Sequence, residues 1–313
     1  MPEASRDLQN GGRLADAVAV RERMGLPSVE TEAYRVVDGG ADGFPGIFID
    51  SFAGHWLVQT LGDAWPAWLE GTQRVGGWRS LSWKRLERQD KKAPEPMAGE
   101  VPVGEFPVRE LGWRYGIDFG VGYSQGLFID QRVQKEAVRS RVRPGDRVLN
   151  LFAYTCAFSV VAAGSGAVTT SVDLSRPFLE WGKRNFAVNG LDVSAHYFCR
   201  GDAGEWLPRF AAKGRRWHGI VLDPPTFSRN GEGRVWRVER DLGEMVADCL
   251  RVLEPGGWLQ VSSNHRGLSE AQFRGLLAAG ARLAGREVRR WEPGSMPPDF
   301  RGEHYLRVVT MLA

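Results

Sequence analysis

The chain reads as an α/β protein: a doubly wound, seven-stranded, mostly parallel sheet with an antiparallel last strand, preceded by a small α+β domain. Three observations carry that expectation. From about residue 115 onward, short β-rich runs alternate with helical periodicities, the pattern of βαβ units laid into a parallel sheet. Four consecutive runs end in polar groups, three of them acids, at the edge where such sheets bind ligands. Ahead of residue 115 the texture differs, with short strands separated by glycine-rich turns and little helix between them.

The elements follow in order. Residues 13–24, R-L-A-D-A-V-A-V-R-E-R-M, space apolar side chains as a helix does, and Gly25 with Pro27 ends the pattern. The runs A-Y-R-V-V, G-I-F-I-D and W-L-V-Q-T-L are strands set apart by tight turns, followed by a helix-like W-P-A-W-L-E and a strand near R-S-L-S-W-K. Residues 85–100, polar and proline-bearing, read as a loop or linker. Then come a helix near 131–142, strand R-V-L-N-L-F, helix F-S-V-V-A-A, strand T-T-S-V-D-L and a helix over F-L-E-W-G-K-R-N-F-A-V-N-G. Strand A-H-Y-F-C-R-G-D, helix E-W-L-P-R-F, strand G-I-V-L-D, a helix near 242–252, strand W-L-Q-V-S-S and a helix near 269–284 complete the alternation. The final runs, E-V-R-R-W and Y-L-R-V-V-T-M-L, joined by G-S-M-P-P-D-F-R-G, read as a hairpin forming an antiparallel edge. The expected organisation is a helical segment (1–30), an α+β domain (31–115) and the large α/β domain (116–313).

Composition excludes several classes. With 313 residues, 42% hydrophobic and 25% charged, the chain is ordinary globular material, and no run is apolar enough for a membrane span. The N-terminus lacks the basic-then-apolar order of a signal peptide, so the cytoplasm is the expected compartment. Three cysteines without C-x-x-C spacing indicate neither a metal site nor a disulfide framework. Only six of the 41 basic residues are lysine. That arginine bias suits phosphate and base recognition, and equally suits a GC-rich coding sequence.

The strand ends define the candidate site. They carry Asn150, Phe152, Ala153 and Tyr154 after the first strand, Asp173 and Leu174 after the second, Asp202 after the third and Asp223 after the fourth. An acid at the second strand end matches a ribose, whose two hydroxyls donate to a carboxylate. Yet no G-x-G-x-x-G follows the first strand, so a pyrophosphate cofactor is disfavoured. S-adenosylmethionine, with adenosine, ribose and a sulfonium but no phosphate, fits the acids instead, with Asp202 as the candidate for the adenine amine. Each acid taken singly also reads as a helix N-cap.

D-P-P-T-F-S stops its strand with two prolines, which lack an N–H and leave carbonyls uncovered. Asp223, Pro224, Pro225 and Phe227 are the catalytic candidates: acid, carbonyls and a stacking ring. The stretch 228–240 carries four arginines and a tryptophan, which reads as a lid with Arg229, Arg234 and Trp236 on substrate, or as a surface loop with an anchored tryptophan. Asn264, His265 and Arg266, after the fifth strand, are candidates for base or phosphate contact, or form a plain solvated turn.

Y-S-Q-G-L-F-I-D-Q-R (123–132), V-L-N-L-F-A-Y-T-C-A-F-S (148–159), V-D-L-S-R-P-F-L-E-W-G-K-R-N-F-A-V-N-G (172–190), L-D-P-P-T-F-S and V-E-R-D (238–241) together resemble class I methyltransferases of the bacterial 23S ribosomal RNA type, whose members make 5-methylcytosine or N7-methylguanine. Residues 33–50 resemble the connector domain of that group, and the likeness extends from about Arg13 to the end. The resemblance implies a class I methyltransferase fold, S-adenosylmethionine as cofactor, no metal, and 23S ribosomal RNA or a pre-ribosomal particle as partner; it leaves a homodimer open. It also implies that 123–132 folds over the cofactor, with Phe128 packing on it and Asp130 paired to Arg132, although Asp130 also suits an N-cap. Many relatives begin with a PUA RNA-binding domain, for which the residues before Arg13 leave no room. The cytosine-modifying relatives bear a cysteine after the fifth strand. Here that stretch is V-S-S-N-H-R-G, without a thiol, which favours guanine N7 over cytosine carbon 5.

Overall fold

The computed structural model describes residues 3–86, 92–122, 124–229 and 235–313. By its contacts the chain divides into two units, Met1–Arg132 with Pro297–His304, and Val133–Met296 with Tyr305–Ala313. The division falls later than the expected boundary at 115, and it assigns Pro297–His304, the middle of the stretch joining the last two strands, to the first unit.

The first unit opens with helix α1 (Glu3–Arg23), ten residues longer at its start than the apolar spacing predicts. A five-stranded sheet follows in the order β1 (Ala33–Asp38), β2 (Ile47–Phe52), β3 (His55–Thr60), β4 (Ser80–Arg85) and β5 (Glu95–Gly99), with the short helix α2 (Gln73–Gly76) before β4. Strand β5 corrects the reading of 85–100 as a loop: despite Pro96 it pairs antiparallel with β4, as an edge strand tolerates proline. A hairpin of β6 (Phe106–Glu110) and β7 (Trp113–Ile117) had no expected counterpart. Leu14 and Ala17 of α1 pack with Val36, Ile49, Trp56 and Leu81 from the sheet.

Buried ion pairs tie distant segments of this unit together. Arg21 forks onto Asp42 at 2.7 Å, and Arg35 reaches Asp50 at 2.5 Å and Asp38 at 2.8 Å. Asp299 pairs with Arg132 and accepts from the Arg35 backbone N–H at 2.8 Å. Breaking one member of such a pair costs about 3–5 kcal/mol, because the other charge stays buried alone.

The second unit is a seven-stranded sheet. Its elements are helix α3 (Arg132–Arg141), β8 (Arg147–Leu151), α4 (Ala157–Gly164), β9 (Val168–Asp173), α5 (Arg176–Val188), β10 (Tyr197–Arg200), α6 (Ala203–Ala212) and β11 (Trp217–Leu222). After a small hairpin, β12 (Phe227–Arg229) with β13 (Val235–Arg237), come α7 (Val238–Arg251), β14 (Leu253–Ser263), α8 (Glu270–Ala284), β15 (Arg290–Pro293) and β16 (Arg307–Leu312). The order is β10-β9-β8-β11-β14-β16-β15, with β16 antiparallel to both neighbours. The last strand inserts between β14 and β15, so the closing pair lies antiparallel at the sheet edge, as expected, with β15 outermost. Strand residues alternate between two cores. Leu149, Leu151, Ile220, Leu222, Leu259 and Val261 pack on one face, while Val148, Val221 and Trp258 pack on the other with Val138 and Phe158. Burial on both faces is why these strands read as nearly unbroken apolar runs.

Candidate functional site

Strand order reverses between the parallel neighbours β8 and β11, the switch point at whose carboxyl side doubly wound sheets bind ligands. The loop leaving β8 is unusual. Phe152, Tyr154 and Cys156 all hold positive φ, at 57°, 48° and 62°, a region that costs non-glycine residues roughly 1–2 kcal/mol each. Backbone bonds keep it there: Ala153 N–H donates to the Val172 carbonyl at 3.0 Å, and Cys156 N–H to the Ala153 carbonyl at 2.7 Å.

Asp173 is the loop's main external support. One carboxylate oxygen accepts from Tyr154 N–H and the other from Ser175 N–H, each at 2.8 Å. The acid thus organises two strand-end turns, and with about four lone-pair sites on a carboxylate it keeps acceptor capacity for hydroxyl donors. Burial pushes its pKa above the ordinary value, against the two N–H bonds that pull it down. Because the folded pKa is raised, the group's contribution to stability is full below its unfolded pKa and is lost as pH rises through the folded value. A ligand that donates to the ionised carboxylate shows the opposite trend. Affinity for S-adenosylmethionine is therefore expected to fall on acidification through the raised Asp173 pKa, and a calorimetric series flat with pH would contradict that role.

A cleft opens here, lined by Phe152, Val172, Asp173, Leu174, Gly201, Asp202, Ala203, Gly204, Trp236 and Met245. Asp202 is also the N-cap of α6, accepting from Gly204 N–H at 2.8 Å, so the N-cap reading and a place in the cleft both hold. Apolar walls, two carboxylates and no glycine-rich phosphate turn fit an adenosine-bearing cation and not a dinucleotide.

Asn150 does not join this cleft. Its amide donates to Ser159 Oγ at 2.9 Å, which in turn meets Ser171 Oγ at 2.8 Å, a buried polar chain linking β8, α4 and β9. Ala153 is buried, and the Tyr154 ring lies edge-on to Phe178 with centroids 4.6 Å apart. Phe128, Asp130 and Arg132 fall in the first unit. There Arg132 pairs with Asp299 and donates to the Ala33 carbonyl, instead of pairing with Asp130, which lies within a 3-10 turn.

The end of β11 is bonded to the end of β14. Ser262 Oγ donates to Asp223 Oδ1 at 2.5 Å, and Thr226 Oγ1 donates to Asn264 Oδ1 at 3.1 Å. Neither Ser262 nor Thr226 was singled out from sequence. Asn264 thus braces the D-P-P-T-F turn. His265 pairs with Glu239, and Arg266 lies over the Tyr305 ring at 5.4 Å. Of the stretch 228–240, expected as a loop, the described residues form strand and helix: Phe227, Ser228 and Arg229 pair with Arg237, Trp236 and Val235, and α7 starts at Val238, while residues 230–234 lie outside the described residues. Trp236 turns inward, its indole N–H donating to the Pro225 carbonyl at 2.9 Å and its ring 5.9 Å from Phe152. It is a cleft wall, and the Pro225 carbonyl is already engaged. Phe227 stays 53% exposed beside Arg237, whose guanidinium lies 5.9 Å from its ring centre. Arg234 and the Arg229 side chain lie outside the described residues.

All three cysteines are built into structure. Cys156 is fully buried and its thiol is pushed up to about 12 by burial; burial also raises Cys249, within α7, and Cys199, within β10. Gly182 of α5 permits the close approach of Cys156: a side chain there would meet Cys156 Sγ and lie 2.8 Å from its Cβ. Gly182→Ala is expected to cost about 1–3 kcal/mol, read as a lowered Tm, and to weaken cofactor binding by shifting the strained loop. An unchanged Tm would show that the loop yields freely. Among the described residues there is no cluster able to hold a metal ion, and no helix is long and apolar enough to cross a membrane.

The strand order, reversed seventh strand and strand-end acids define a class I, Rossmann-like methyltransferase fold. The chain belongs to the S-adenosylmethionine-dependent methyltransferases, whose family model matches residues 57–300, and its cofactor is S-adenosylmethionine. It is related to bacterial large-subunit ribosomal RNA methyltransferases. It is 30% identical to a ribosomal RNA large subunit methyltransferase of Deinococcus radiodurans, over 99% of this chain and 80% of that protein. It is also 30% identical to ribosomal RNA large subunit methyltransferase I of Erwinia tasmaniensis, over 91% of this chain and 72% of that protein. Among solved structures, SMU.776 in complex with SAH superposes with a TM-score of 0.84 at 25% identity, covering 97% of this chain and 82% of that one.

Proposed function

We propose that the protein methylates a base of large-subunit ribosomal RNA, free or in a pre-ribosomal particle, and that the acceptor atom is guanine N7. The relatives named above act on that RNA, and the proposal places the enzyme with it in the cytoplasm. One observation carries the choice of atom: none of the chain's three thiols stands after the fifth strand of the sheet, Cys156 and Cys249 being buried and Cys199 lying half-buried within β10, and burial raises the pKa of each. Cytosine carbon 5 needs a thiolate to attack carbon 6 first, whereas guanine N7 attacks with its own in-plane lone pair.

S-adenosylmethionine supplies an activated methyl group on a sulfonium. In this reading the Asp173 carboxylate and the cleft walls Phe152, Leu174 and Trp236 hold the nucleoside part, with Asp202 beside the adenine. Asp223, fixed by Ser262, offsets the positive charge that arises on the guanine ring as the N7–carbon bond forms and the carbon–sulfur bond breaks. No proton has to move. Phe227 offers a stacking face, and the base must be unstacked to reach it, since N7 lies in the deep major groove of an A-form helix. A non-catalytic ribosome-assembly role would leave the cofactor cleft without use. Mass-spectrometric mapping of rRNA from a strain lacking the gene is expected to show loss of one N7-methylguanine; loss of a 5-methylcytosine with every N7-methylguanine intact would refute the choice of atom.

A further inference from the structure

The exposed side of β10 has a composition that the cofactor cleft does not account for. Among the described residues this strand pairs only with β9, which leaves its other edge open. Along that edge, cations lie over aromatic rings: Arg215 over Tyr197 at 6.0 Å, Lys183 over Phe198 at 5.6 Å, and Arg209 over Trp206 at 5.6 Å. The Trp206 indole donates to the Arg200 carbonyl at 3.2 Å, which draws α6 against the strand. Tyr197 is 53% exposed, and Arg200 and Lys213 are exposed with no side-chain hydrogen bond or ion pair among the described residues. Two neighbouring acids are already engaged, Glu180 with Lys183 and Glu205 with Arg209.

Charged side chains on an open edge ordinarily guard against strand pairing. Guarding needs charge alone, and does not call for guanidinium groups laid over the exposed Tyr197 ring and the half-buried Trp206 ring. Arginine and aromatic faces presented together are what splayed bases and phosphates select. We infer that the β10 edge, centred on Tyr197, Arg200, Arg209 and Arg215, is a second RNA-docking surface that anchors the substrate strand away from the reacting base. The inference rests on the RNA reading above and deepens it. Arg200 is followed directly by Gly201 and Asp202 of the cleft. Three strand spacings, about 14 Å, separate β10 from β11, a span that a few nucleotides cross. One RNA segment can then engage Phe227 and the β10 edge together.

The test uses the full chain carrying R200E, R209E and R215E together, with 23S rRNA transcript as probe in filter binding across a salt series and in tritiated methyl transfer. Calorimetry with S-adenosylmethionine is run in parallel, and Kd within about twofold of wild type shows that the fold is intact. RNA affinity is expected to fall at least tenfold, with the slope of log K against log salt shallower by about 2–3. A second variant, Y197A with R215K, keeps the charge; it is expected to lose affinity severalfold with the salt slope preserved. Wild-type affinity and slope in the triple variant would overturn the surface, as would a wild-type dimer that the charge reversals dissociate while RNA binding persists. Failure of the wild-type protein to bind or methylate rRNA at all would instead count against the proposed function.

Discussion

Asp173→Asn is expected to weaken S-adenosylmethionine binding by about 2–3 kcal/mol, roughly 30- to 150-fold in Kd. Two losses combine. The neutral amide donates where a hydroxyl donor needs an acceptor, and its NH2 group must face either Tyr154 N–H or Ser175 N–H, both of which now donate to the carboxylate at 2.8 Å. Donor against donor displaces one of the two turns. Since Phe152 and Tyr154 sit at positive φ, the loop has neighbouring backbone wells to relax into, and the cleft wall moves with it. Calorimetric titration measures the effect directly, and a wild-type Kd would remove Asp173 from the cofactor site.

Asp223→Asn is expected to lower kcat by a factor on the order of 10²–10³, the usual scale for removing one preorganised electrostatic group beside developing charge. Cofactor affinity should change far less, which distinguishes this variant from the first. Ser262→Ala, which leaves the carboxylate but removes its 2.5 Å hydrogen bond, should move kcat in the same direction by a smaller factor. Single-turnover methyl transfer at saturating cofactor reads both. Turnover unchanged in Asp223→Asn would mean that the acid serves the fold of the turn alone.

The alternating core was legible because every central strand is buried on both faces and so reads as an apolar run ending where polar groups begin. The acids at those ends were legible for the same reason. Asn150 was misread through neglect of strand parity. It sits between Leu149 and Leu151, which point into one core, so its own side chain must take the opposite face, toward Ser159. Strand β5 escaped because a short edge strand with proline and mostly exposed residues carries no burial pattern. Trp236 read equally as a substrate contact or an anchor, and the anchor was not decidable from the arginines around it, since its direction is set by the Pro225 carbonyl eleven residues earlier. The link between Arg132 and Asp299 spans 167 residues and leaves no local trace at all.

The central claim is that this chain moves a methyl group from S-adenosylmethionine to guanine N7 of ribosomal RNA without a thiol nucleophile. It is tested most directly by incubating the purified protein with tritiated S-adenosylmethionine and 23S rRNA from a strain lacking the gene, then separating the labelled nucleosides. The expected product is N7-methylguanosine, formed equally by a variant in which Cys156, Cys199 and Cys249 are all alanine, provided that variant still binds the cofactor. Label in 5-methylcytidine, abolished by loss of any one cysteine while cofactor binding persists, would contradict the account.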